Sequence, residues 1–251
     1  MPGISINNAV LDIDMLVLDK DGTLIDFNEI WGGRMETAAE SIVADRGENA
    51  QMLEHLYYCV GYDSTLHRAL GQGPLATAPI HQLETVVTSA LYQWGISWEI
   101  ASQLVARHFT SRMSALPTTN EIKVRGPVLE TLRDLHDKGV RLAVATTDNR
   151  TPTEACLKSI GIFDLISIMA CGDDKDFPVK PDPATLLWIA QQFDIEINRL
   201  AMIGDTSSDL CMARNAGAGY AIGITGGAGD KIELRAEADI LIDSLGEIRP
   251  S

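Results

Sequence analysis

The stretch Met15-Leu16-Val17-Leu18-Asp19-Lys20-Asp21-Gly22-Thr23 ends an apolar run with two aspartates two positions apart. It reads as a strand that tips its carboxylates into a site. A carboxylate at the end of a buried strand is costly to desolvate unless a cation or hydrogen-bond donors receive it, so two together point to a metal or a reaction. One can serve as a nucleophile and the other as an acid/base, the division of labour that aspartyl-phosphate chemistry requires. Taken alone, Asp21-Gly22 also fits a turn after an edge strand. Lys20, between them, is expected on the opposite face of the strand end, with no catalytic part.

Short β-type apolar runs recur at 141–145, 165–170, 200–203, 220–224 and 240–242. Between most of them lie helical patterns. Val128, Leu129, Leu132 and Leu135 keep three- and four-residue spacing, closed by Lys138-Gly139. Thr151-Pro152-Thr153-Glu154 reads as a capping box with proline at the first helical position. Asp182-Pro183 starts a further helix through Leu186, Leu187, Ile189 and Ala190. Alternating strands and helices predict an α/β chain with a parallel sheet.

Residues 27–119 differ in kind, with no convincing strand and apolar residues at helical spacing. Ile80, Leu83, Val87, Ala90, Leu91 and Trp94 mark one helix face; Ile100, Leu104, Val105, His108 and Phe109 mark the next, after a Ser97 cap. The expected architecture is a doubly wound, Rossmann-like parallel-sheet core (1–26 and 120–251) carrying a smaller all-helical cap domain (27–119).

The bulk composition narrows the function. The chain has 251 residues, 45% of them apolar and 22% charged, enough for a full core and ordinary for a globular protein. A formal charge of −15 argues against nucleic acid or an anionic membrane surface as partner. The four cysteines form no Cys-x-x-Cys pair, so neither a zinc knuckle nor a disulfide framework is indicated. The five histidines lack metal-ligand spacing. No basic leader precedes an apolar stretch and no segment runs to about 18 apolar residues, so a reduced, cytoplasmic chain is expected.

In an open parallel sheet, ligands bind outside the carboxyl ends of the strands. Those ends carry Asp19 and Asp21, then Thr146-Thr147-Asp148, then Gly204-Asp205-Thr206-Ser207-Ser208-Asp209. Lys180 precedes a helix start and can bring positive charge to the same edge. Each has a plainer reading as a strand-end hydrogen bonder, a solvated lysine or a first-turn carboxylate. Jointly, four polar motifs ending the right elements in order are improbable by chance. The glycine-rich Gly223 to Gly229 lacks the ending of a nucleotide loop and is assigned to a turn. Trp31 and Arg34, shortly after the first motif, could sense a leaving group, or Trp31 could anchor a helix.

On these motifs the chain resembles the haloacid dehalogenase superfamily of aspartyl-phosphate hydrolases, in its phosphoglycolate-phosphatase-like branch. Asp19-Lys20-Asp21-Gly22-Thr23 matches the first motif, Thr146 the second, Lys180 the third and Gly204-Asp205-x-x-x-Asp209 the fourth. The resemblance implies that Asp19 attacks phosphorus and that Asp21 protonates the leaving oxygen and then activates water. It implies Mg²⁺ held by Asp19, Asp205 and the backbone carbonyl of Asp21, with Asp209 either a ligand through water or an orienter. Thr146, Lys180 and backbone N–H groups near Gly22 and Thr147 would hold the phosphoryl group. Asp21 separates the chain from the related transport ATPases, which carry threonine there, and dehalogenation needs neither Asp21 nor Mg²⁺. The expected activity is therefore a Mg²⁺-dependent phosphatase for a small phosphorylated metabolite. The alternatives are a phosphomutase using the same residues, or a non-catalytic binding module on this scaffold. Substrate identity and oligomeric state are not legible in the sequence.

Overall fold

A computed structural model describes residues 3–47, 50–174 and 177–251; Met1 and Pro2 of the opening segment lie outside the described residues. The chain begins with strands β1 (Ile4–Ile6) and β2 (Ala9–Leu11) and reaches β3 (Met15–Leu18), the strand of the opening motif. Every residue of β3 is buried. Its side chains alternate between two cores: Leu16 and Leu18 join one apolar cluster, Met15 and Val17 the other. That two-sided burial, about 1.5–3 kcal/mol for each large aliphatic side chain, explains why a continuous apolar run, rather than an alternating one, marks a central strand.

The insert that follows is mostly helical: α1 (Gly33–Arg46), α2 (Ala50–Val60), α3 (Pro74–Thr77), α4 (Ile80–Gln93), α5 (Trp98–Leu104) and α6 (Ser111–Met113), with π-helical turns at Asn28–Gly32 and Val105–Thr110. It is not all-helical. Strands β4 (Tyr62–Asp63) and β5 (Arg68–Ala69) form an antiparallel hairpin within it. Strands of two residues are too short to display a period; the Asp63 carboxylate, which accepts from the backbone N–H groups of Thr65 and Leu66, builds the turn instead. The face of α4 is as expected, with Ile80, Leu83, Val87, Ala90 and Leu91 buried. On the next segment Ala101, Leu104, Val105 and Phe109 are buried, while Ile100 is exposed.

The core resumes with α7 (Val128–Asp137), β6 (Arg141–Ala145), α8 (Arg150–Ser159), β7 (Ile166–Ala170), α9 (Ala184–Gln192), β8 (Leu200–Gly204), α10 (Ser207–Ala216), β9 (Tyr220–Ile224), α11 (Lys231–Glu237), β10 (Ile240–Ile242) and β11 (Ile248–Pro250). Helix α7 stops where Gly139 takes φ +88°, as its Lys-Gly ending predicts. Helix α8 begins two residues earlier than the Thr151 capping box predicts, with Asn149 preceding it. The acceptor for its first N–H, that of Arg150, is Asp173 from the loop after β7, 2.7 Å away. A cap supplied by another loop leaves no local sequence signal.

The six-stranded sheet has the order β10-β9-β8-β3-β6-β7, and every pairing in it is parallel. Helices α7 and α8 pack on one face, and α9, α10 and α11 on the other. The chain moves outward from β3 to β6 and β7, then crosses back to β8. This places the topological switch point at β3, where ligands collect in open α/β sheets. Strands β1, β2 and β11 form a separate antiparallel sheet joining the two ends of the described chain, which the sequence reading did not foresee.

Candidate active site

Asp19 emerges at the carboxyl end of β3, its N–H bonded to the carbonyl of Ile203 in β8 at 2.9 Å. The next residues turn sharply, with Leu24 N–H on the Lys20 carbonyl at 2.9 Å and Gly22 at φ +84°. A side chain at Gly22 would strike the Asp205 carboxylate. Gly22 thus meets two needs, a left-handed backbone and a close approach. Its N–H donates to Ile25 at 2.7 Å. Gly22's own N–H is thus engaged within the turn, and Gly22 serves the site through conformation.

The ammonium of Lys180 lies 2.6 Å from Asp19 Oδ1 and 2.7 Å from Asp209 Oδ1. Asp209 sits in the first turn of α10, where its second oxygen accepts from the Thr206 N–H at 3.0 Å and the Thr206 hydroxyl at 2.7 Å. Both oxygens of Asp209 are thus engaged. Asp205, the residue after β8, accepts from the Ala228 N–H at 2.7 Å through Oδ2, while its Oδ1 is buried with no partner among the described residues. Asp19, Asp205 and Asp209 each present an oxygen within 4.8 Å of the others.

Three buried carboxylates face one ammonium here. Burial pushes Asp19 up to about 7, against the pull of Lys180. Burial likewise raises Asp205, with the negative charges of Asp19 and Asp209 adding to the effect. Burial opposes the charge on Lys180, but Asp19 and Asp209 outweigh it and raise its pKa. A hard divalent cation, which takes oxygen ligands, fits this set on two counts: it offsets the excess negative charge and satisfies the orphaned Asp205 Oδ1.

A second buried ion cluster lies beside the first. Lys20 is 1% exposed, and its ammonium sits 2.7 Å from Asp21 and 3.0 Å from Asp148. Burial opposes its charge, and Asp21 and Asp148 reverse that to a raised pKa. The expectation that Lys20 points to the opposite face of the strand end is thus corrected for its ammonium: four methylenes are long enough to bring it back to the neighbouring carboxylate.

Asp19, Asp21, Thr147, Lys180, Asp205 and Asp209 line one pocket, together with Trp31 from the insert. It encloses about 540 Å³, counting its open mouth. Thr146 lines the adjoining cavity, which shares Thr147 and Lys180; its hydroxyl oxygen accepts from the Asp148 N–H at 3.1 Å. Arg34 is absent from the pocket, contrary to expectation. Its guanidinium is buried against Glu121 at 2.7 Å and the carbonyls of Met113 and Ala115. Trp31 lines the pocket, and the Lys20 ammonium and the Arg34 guanidinium each lie over its ring, 5.8 and 5.7 Å from the centre.

Two groups in the site went unread in the sequence. The glycine-rich loop after β9 is more than a turn, because Ala228 donates to Asp205 and a side chain at Gly227 or Gly229 would collide with Asp205. Four glycines from position 223 to 229 at a strand's carboxyl end were the available signal. Arg125 clasps this loop to the first motif, donating to the carbonyls of Gly22 and Thr225. Nothing in its local sequence marks it.

The family of haloacid dehalogenase-like hydrolases matches residues 13–217 of the chain. A phosphoglycolate phosphatase of Agrobacterium fabrum is 27% identical over 242 residues, covering 94% of this chain and 91% of that one. One of Vibrio cholerae is 28% identical over 239 residues, covering 94% and 95%. Among solved structures, a haloacid dehalogenase-like family protein of Streptococcus pneumoniae superposes with a TM-score of 0.62 at 16% identity, covering 94% of this chain and 96% of that one. At that identity the last likeness concerns the fold alone.

Proposed function

The chain belongs to the haloacid dehalogenase-like hydrolases, and from that membership we propose that it is a Mg²⁺-dependent phosphatase working through an aspartyl-phosphate on Asp19. The observation that carries this reading is the Lys180 ammonium held between Asp19 and Asp209, beside an Asp205 oxygen with no partner among the described residues. Such an arrangement keeps one carboxylate oriented while leaving positive charge and an open ligand position where a phosphoryl group arrives.

In this reading Asp19 attacks phosphorus and Asp21, across the same pocket, gives a proton to the departing oxygen. Asp21 then takes a proton from the water that cleaves the phospho-aspartate, and the product is free phosphate. Lys180, the Thr146 hydroxyl and the backbone at Thr147 hold the phosphoryl oxygens. Asp19, Asp205 and the backbone carbonyl of Asp21 would hold Mg²⁺, with Asp209 as an orienter because both of its oxygens are already engaged. When bound, the ion supplies positive charge against the phosphoryl oxygens. The insert of residues 27–119 acts as a cap over the pocket, since Trp31 and neighbouring insert residues line it. The partner is a small phosphorylated metabolite, as the relatives' names suggest. A cytoplasmic setting fits the four free cysteines. No helix among the described residues is long and apolar enough to cross a membrane.

The test is phosphate release from p-nitrophenyl phosphate by the purified chain. Release is expected with Mg²⁺, and it is expected to stop with chelator and with Asp19→Asn. Activity surviving Asp19→Asn overturns the nucleophile; with a phosphorylated sugar in place of the aryl ester, an isomerised product without free phosphate transfers the reading to a mutase.

A further inference from the structure

The phosphatase reading leaves the leaving group unnamed, and the wall of the pocket opposite the carboxylates bears on it. That wall comes from the insert, chiefly Phe27, Trp31, Leu75, Ile80 and Leu83, all buried and all apolar apart from the Trp31 indole N–H. Resting on that reading, we infer that the alcohol released from this pocket is uncharged and largely apolar, and that a carboxylate-bearing alcohol such as glycolate is a poor leaving group here.

A carboxylate in the leaving group needs a cation or several free hydrogen-bond donors, and among the described residues the pocket offers no uncommitted cation. Among the described residues Lys180 is the one cation lining it, and its ammonium is committed to Asp19 and Asp209. The hydroxyls are committed as well. Thr77, the one hydroxyl on the insert side, donates to the Gly73 carbonyl at 3.0 Å. Thr206 donates to Asp209, so the proton between Thr206 and Ser208, 2.8 Å apart, is supplied by Ser208. The Thr147 hydroxyl and the Trp31 indole N–H remain, two neutral donors against a full carboxylate charge. The same pocket is lined by five aspartates: Asp19, Asp21, Asp148, Asp205 and Asp209. A second anion on the substrate would meet apolar carbon on one side and like charge on the other. An uncharged branched alkyl group would instead bury its surface against Leu75, Ile80 and Leu83.

Phosphoglycolate and isobutyl phosphate test this directly, because their leaving groups match in shape and differ in charge. Glycolate is the more acidic alcohol, so intrinsic reactivity favours phosphoglycolate and any opposite preference comes from the pocket. With Mg²⁺ present, kcat/KM for isobutyl phosphate is expected to exceed that for phosphoglycolate by about 10- to 100-fold, the effect of burying an uncompensated polar group. Ala76→Lys, which adds a cation at a half-buried lining position, is expected to narrow that ratio; an unchanged or wider ratio counts against the inference. Phosphoglycolate turned over as fast as isobutyl phosphate or faster overturns the inference alone. So does turnover of p-nitrophenyl phosphate with neither alkyl ester. Absence of release from all three overturns the phosphatase reading and the inference with it.

Discussion

The ammonium of Lys20 lies 2.7 Å from the carboxylate of Asp21, one residue on, and both side chains are nearly sealed from solvent. Asp148, at the end of β6, completes the cluster at 3.0 Å. This ion triad ties the first motif to the neighbouring strand end directly beneath the pocket. Removing the one cation leaves two buried carboxylates opposed. Lys20→Met is expected to lower stability by about 3–5 kcal/mol, as breaking a buried pair does. Urea unfolding checks this, and adding Asp148→Asn is expected to restore part of the loss; a Lys20→Met protein as stable as the parent would refute the triad's structural role.

Asp21→Asn separates attack from hydrolysis. The Asp19 nucleophile remains, while the group that activates water is gone. Turnover is expected to fall about 100- to 10,000-fold, with phosphorylated protein accumulating in acid-quenched samples by intact mass. Asp19→Asn should show no such mass, and a label that persists in it would place the phosphoryl group elsewhere.

Asp205 carries the unpartnered oxygen, so it should govern metal binding. Mg²⁺ at a hundred times its dissociation constant is expected to stabilise the parent by about 2.7 kcal/mol, seen as a rise in Tm. Asp205→Asn should abolish that rise and the activity together. In chelator its Tm should equal or exceed that of the parent, because one desolvated carboxylate beside Asp19 and Asp209 has been neutralised. A variant that still gains stability from Mg²⁺ would remove Asp205 from the ligand set.

Gly227 is expected to tolerate no side chain. A methyl there collides with the Asp205 carboxylate, so Gly227→Ala must displace it. A misplacement on the order of 1 Å costs about 100-fold in rate. Activity assays should show that loss while far-UV circular dichroism stays that of the parent; near-parental activity would mean the loop yields instead.

Glu121 ties the segment leading into the core back to α1. Its hydrogen bonds to Arg34, with those from Thr118, hold its pKa down to about 2, against an ordinary 4.5. A carboxylate with a depressed folded pKa contributes stability above its unfolded pKa and loses it as pH falls through the folded value. Glu121→Gln is therefore expected to cost about 1 kcal/mol at pH 7, a modest figure because Glu121 is partly exposed. The gap between variant and parent should shrink between pH 4.5 and 2 in denaturant titrations, and a gap independent of pH would exclude the ionised pair as its source.

The chain's own order of residues determined much of this protein. Two-sided burial writes itself as unbroken apolar runs, and each of the six runs at Met15, Arg141, Leu165, Leu200, Tyr220 and Ile240 is a strand of the parallel sheet. Because a parallel sheet aligns its carboxyl ends, residues at those ends converge, and Asp19, Asp21, Thr147, Lys180, Asp205 and Asp209 were legible for that reason. What depends on contacts between distant segments left no period and no spacing to read. Arg34 looked like a pocket residue by its nearness to the first motif, yet Glu121 and the Met113 and Ala115 carbonyls hold it elsewhere. Lys20 looked idle by strand alternation, yet its stem reaches Asp21 and Asp148. Arg125, the glycine loop around Asp205 and the apolar wall of Leu75, Ile80 and Leu83 acquire meaning only when the chain closes on itself, since a charge's partner and a pocket's lining are set by proximity in space rather than along the sequence.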